Sequence, residues 1–128
     1  MNDEIRNYDP TMKTVFVSGP YGDLGTTLQR VIKENRRNAR IARNALMERG
    51  YAVITPHEMF EHLLEDYTQA EIDEKFPPQY FYAACLAILK QCDGIYLVHG
   101  WDDSFGAREQ RAAAIRWGKE IIPYKRPI

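Results

Sequence analysis

The chain has 128 residues, 17 basic and 18 acidic, for a formal net charge of −1. That near-balance excludes a global field calling for nucleic acid or an anionic membrane. A hydrophobic share of 45% with 27% charged residues excludes a disordered chain, and the length fits one domain with its own core.

Residues 1–12 have no period and read as a flexible leader, with the domain over 13–128. The opening MNDEIRNYDP lacks the apolar core of a signal peptide. No run reaches the roughly 18 apolar residues of a membrane span. The expectation is a soluble, cytoplasmic protein. Thr14 to Ser18, TVFVS, is rich in β-branched residues and reads as a first strand buried on both faces. The turn GPYGDLG follows, with Gly19, Gly22 and Gly25 spaced GxxGxxG. It matches neither the dinucleotide fingerprint nor a Walker loop. It is either a turn needing positive φ angles or a loop whose N–H groups approach a ligand.

Thr27 to Arg49 reads as a long helix ended by Gly50. Val31, Ile32, Asn35, Ala39, Ala42 and Leu46 form its sheet-facing side. Arg30, Lys33, Arg36, Arg37, Arg40 and Arg43 form the other, either a solvated face or a phosphate-binding stripe. Ala52 to Thr55 is a second strand, and strand–helix–strand implies a right-handed parallel unit.

An acidic insertion over 57–79 follows, with one helix in HEMFEHLLEDY and a short one in TQAEIDEKF. Insertions of this kind serve as lids or partner contacts. His57 and His62 are five apart, whereas the zinc-protease pattern HExxH puts them one turn apart on one face, so no metal is expected.

Tyr80 to Gln91 is a nearly all-apolar helix, packed under the sheet or in a subunit interface. Its Cys85, with Cys92, fits no metal spacing and reads as a core thiol. Asp93 to His99 is a third strand, Ser104 to Trp117 a helix stopped by Gly118, and Glu120 to Pro123 a fourth strand. The sum is one doubly wound α/β domain with four parallel strands, order 2-1-3-4, and an acidic helical insertion after the second. Ligands of such sheets sit beyond the strand carboxyl ends where the order reverses. That places SGPYG beside HGWDDSFG.

The second loop precedes a helix whose first N–H groups make an anion site, with Ser104 and Gly106 there and Asp103 or Ser104 as N-cap. Glu109 lies one to two turns in, on the side of Ala112 and Ala113. It is either a carboxylate favoured by the helix dipole or an ionised nucleophile. Trp101, Tyr21 and Phe60 can stack on a planar base, and Asp102 can hold a sugar hydroxyl.

VFVSGPYG, the run from Asn38 to His57, and CDGIYLVHGWDDSFGAREQRAA resemble the nucleoside 2-deoxyribosyltransferase-like superfamily, in its small phage and bacterial branch. The resemblance implies a flavodoxin-like or Rossmann-like fold and a homo-oligomer with shared sites. It also implies cleavage or transfer at the N-glycosidic bond of a nucleoside or nucleoside 5′-monophosphate. A glutamate attacks the anomeric carbon, by the logic of a retaining glycosidase.

By motif position Glu109 is the nucleophile, with Asp66, Asp73 or Asp102 a candidate replacement for the usual acid. Ser18, Gly19, Tyr21, His57, Gly100, Trp101, Ser104 and Gly106 bind the substrate. No cofactor, metal, membrane or nucleic-acid partner is expected. Two positions depart from characterised members. Cys85 stands where several have an aspartate, and Ser104 to Glu109 is five residues where nucleotide hydrolases have six. A nucleotide- or phosphosugar-binding module without turnover, or an oligomeric interaction protein, are the alternatives.

Overall fold

The computed structural model describes residues 7–20, 29–60 and 62–123. Four strands, β1 (Thr14–Ser18), β2 (Ala52–Ile54), β3 (Gly94–Leu97) and β4 (Glu120–Ile122), form one all-parallel sheet of order β2-β1-β3-β4. The expected topology is therefore the observed one. The helices are α1 (Gln29–Glu48), α2 (Pro56–Met59), α3 (Leu63–Asp66), α4 (Gln69–Lys75), α5 (Pro78–Lys90) and α6 (Phe105–Arg116).

Alternation along the strands divides the core. Val15, Val17, Tyr96, Val98 and Ile122 pack on one face with Ala39, Ala42 and Leu46 of α1. Phe16 and Ile95 pack on the other with Cys85, Leu89 and Cys92 and with Ala113 and Ala114 of α6. β1 is buried on both faces because helices cover both. α1 and α6 end where glycine takes the left-handed region, Gly50 (φ 91) and Gly118 (φ 68). At each, the next residue closes the turn, Tyr51 N–H onto Leu46 O and Lys119 N–H onto Ala114 O.

Three corrections concern the helices. α1's basic side is not uniformly solvated, because Arg36 and Arg43 are half-buried. Arg43 is pulled in by a two-oxygen ion pair with Glu58 of α2. The helix expected in HEMFEHLLEDY is instead two single turns, α2 and α3. Phe60, at the end of α2, meets Phe81 edge-on at 5.0 Å. That contact joins a small aromatic cluster of Tyr67, Phe76 and Tyr80, which closes the insertion over α5. α4 then starts at a complete capping box, Thr68 with Glu71.

Of the leader, residues 1–6 lie outside the described residues. Asp9 folds the next stretch into an exposed turn, accepting from Thr11 N–H at 2.8 Å. No helix among the described residues is long and apolar enough to cross a membrane.

Candidate functional site

The order reverses between β1 and β3. The chain leaves β1 through α1 toward β2 and leaves β3 through α6 toward β4. The two exit loops diverge and leave a crevice at the carboxyl ends. Contacts between these loops build its floor. Val98 N–H continues the ladder past β3 by donating to Ser18 O at 2.8 Å. Gly19 lies so close to β3 that a Cβ there would stand 2.7 Å from Val98 Cβ. Glycine is required here by the approach of the two strands. Gly100 (φ 94) stands over Pro20, whose Cγ would be 3.6 Å from a Cβ.

Side chains lock the loops from two sides. His57 is 7% exposed, and its Nε2–H donates to the Pro20 carbonyl at 2.8 Å. A carbonyl only accepts, which fixes the proton on that nitrogen. His57 therefore braces the SGP loop from α2. On the other side Ser18, 1% exposed, donates its hydroxyl to Gln110 Oε1 of α6 at 2.6 Å. This bond orients the Gln110 amide, leaving its NH₂ group with two donors.

The start of α6 contributes further donors. Ser104, 2% exposed, is the N-cap and accepts from Ala107 N–H at 3.2 Å, and Arg108 N–H bonds Ser104 O. Helix geometry leaves the N–H groups of Phe105 and Gly106 without intrahelical acceptors. Gly106 also lets the ring of Tyr82 approach α6, 3.6 Å from where a Cβ would lie. The floor thus presents amide and helix N–H donors, suited to an anion or to the acceptor edges of a sugar or base.

The residues expected at the site separate into groups. Ser18, Gly19, His57, Gly100, Ser104 and Gly106 lie at the carboxyl ends of the strands or the loops and helix start that follow them, with His57 and Ser18 tying the loops and Ser104 capping α6. Trp101 is half-buried beside them in a 3₁₀ turn (Trp101–Asp103), and the Arg111 guanidinium lies 5.1 Å from its ring centre. Phe60 is not at the site; it belongs to the insertion's aromatic cluster. Tyr21 lies outside the described residues. Asp102 and Glu109 are exposed.

The reading of Glu109's side needs correcting. Ala107, Gln110 and Ala114 form the inward stripe of α6 with Ala113, whereas Glu109 shares the exposed stripe with Ala112 and Arg116. One residue turns a helix by about 100°, so the side chain facing Ser18 is Gln110. The signal for Gln110 was present in the sequence: it stands six residues after Ser104.

The model of the domain of unknown function DUF4406 matches residues 13–123. The chain belongs to the DUF4406 family. No curated protein matches it. The matched span takes in every strand of this DUF4406 chain and both loops of the crevice.

Cys85 takes no part in this DUF4406 site. It is buried between α5 and the sheet, and burial pushes its thiol up to about 11. It stays protonated at neutral pH. The two histidines of the insertion are also separated in role: His57 braces Pro20, and His62 pairs with Glu65 at 2.9 Å. Among the described residues no group of three metal-ligating side chains gathers.

Proposed function

We propose that this chain binds a nucleoside or nucleoside 5′-monophosphate at the carboxyl ends of β1 and β3 and holds it without cutting its N-glycosidic bond. One observation carries the reading: Gln110, a carboxamide, is the α6 side chain that takes the Ser18 hydroxyl at the carboxyl end of β1. Nucleotide hydrolases of the superfamily resembled have a glutamate six residues after the serine, and in this chain Gln110 has that place. An amide is neither nucleophile nor base at neutral pH, yet it donates two hydrogen bonds to a sugar or phosphate oxygen. The unfilled N–H groups at the start of α6 suit the 5′ end of the ligand.

Glycoside cleavage through Glu109 is the second reading. Its support is that this carboxylate is exposed early in α6, near the same helix N-terminus. Asp102, exposed in the preceding turn, would then act on the leaving base.

Calorimetric titration with nucleosides and 5′-monophosphates, with chromatography of the same mixtures for free base, separates the two. The binding reading expects heat without free base. It expects binding weakened by Gln110→Ala and unchanged by Glu109→Ala. Base release that disappears in Glu109→Ala would reject it in favour of cleavage. The Gln110→Glu variant places a carboxylate beside Ser18 and is expected to release base where the native chain does not.

A further inference from the structure

Two exposed surfaces of opposite charge lie on α1 and on the insertion that follows β2. The outer face of α1 carries Arg30, Lys33, Arg37 and Arg40, all exposed, over ten residues or about 15 Å of helix. Glu34 is the acid among them. The insertion carries Glu65, Asp66, Glu71, Asp73 and Glu74, also all exposed. Among the described residues no ion pair joins the four exposed cations to these acids.

The same two segments do pair where they come within reach. Arg43, further along α1, takes both oxygens of Glu58 at the start of the insertion. Each surface also carries exposed apolar side chains among its charges. Ile41 (40%) and Met47 (56%) lie on α1, and Leu64 (63%) lies on α3 beside Glu65 and Asp66. Charge sets the partner and orientation of such a contact, and the apolar side chains supply area to remove from water. A net charge of −1 leaves little overall repulsion between copies.

We propose that the occupant of this surface is a second copy of the chain: the exposed face of α1 docks on α3 and α4 of its partner. A two-fold pair makes the contact twice, because each copy has both surfaces. The Arg43–Glu58 bond within each chain continues the row of charge pairs at the border of the contact. The proposal is independent of the nucleotide-binding reading, since it uses neither Ser18 nor Gln110.

Sedimentation velocity of the full chain over a concentration series tests it. A dimer is expected at low salt, weakened by at least about tenfold near 1 M salt, where charges are screened beyond about 3 Å. Arg37→Glu with Arg40→Glu is expected to be monomeric, and so is Asp66→Lys with Glu74→Lys. Circular dichroism checks that both stay folded. Asp66 and Glu74 are chosen because Glu71 caps α4 and Glu65 pairs with His62. Mixing the two double variants is expected to restore a dimer, since each then offers one native surface and the two reversed surfaces are again complementary. A native chain monomeric at low salt would overturn the proposal. So would a dimer indifferent to salt and to both reversals. Retention of duplex DNA by the native chain, lost in the α1 variant while the dimer persists, would overturn it in favour of a nucleic-acid surface.

Discussion

The two ends of the sheet are built on opposite plans. At the amino end, polar groups join neighbouring strands directly. Asp93 accepts from the N–H of Thr14 at 2.8 Å and from its hydroxyl at 3.2 Å, and returns its own N–H to Thr14 O. Lys13 pairs with Glu120 across to β4. At the carboxyl end the strands touch through Gly19 and Val98. The polar groups there reach outward instead, Ser18 to α6 and His57 to the SGP loop. A gap stitched shut by side chains has no donors left over. A gap braced from its flanks keeps amide and helix N–H groups facing the crevice. Both ends are rich in hydrogen bonds, and the direction of those bonds makes the carboxyl end the candidate site.

Substitutions can break or sharpen that contrast. The largest effect is expected from Gly19→Ala, because β1 and β3 are both buried and Val98 has no room to yield. A loss of about 1–3 kcal/mol is expected, read as a melting temperature lower by roughly 3–6 °C per kcal/mol. Nucleotide binding should weaken with it. Next comes Ser18→Ala, which removes the donor that orients Gln110. About 1 kcal/mol of stability is expected to go. Calorimetry should show binding weakened as in Gln110→Ala, and the double variant should be little worse than either single one.

The amino end offers a pH readout. The Thr14 N–H, above all, holds the Asp93 carboxyl below its ordinary value of 3.8. A carboxylate with a depressed native pKa stabilises the fold above its unfolded value and loses that contribution as pH falls through the native one. The melting temperature should therefore fall on acidification below about pH 4. Asp93→Asn should flatten that fall while leaving nucleotide affinity at neutral pH unchanged. The smallest effect is expected at the thiols. Burial raises both Cys85 and Cys92, so alkylation near pH 8 should be slow in the native protein and fast in denaturant.

Much of the fold was legible because each strand carries a local signature. TVFVS, AVI, GIYL and EII are short apolar runs between turn residues, and two of the helices between them end at a glycine. The insertion was read less well. Single-turn helices have almost no period to detect, and Phe60, which could stack on a base or serve as filler, packs edge-on against Phe81. The site divides in the same way. Ser18 ends β1, Gly19 and Gly100 lie in the exit loops, and Ser104 and Gly106 open α6, so strand order and element ends were enough to place them.

Orientation did not follow. Helix spacing put Glu109 on the side of Ala112 and Ala113, but a helix is rotated by packing, and the alanines at 107, 113 and 114 turn Gln110 toward the sheet. The sequence by itself determined the elements, their order and the loops that meet, because hydrophobic runs and glycine punctuation act locally. Only the tertiary structure decided which side chain faces the crevice. That choice depends on the rotation of α6 about its axis, and contacts with residues nearly a hundred positions away set it.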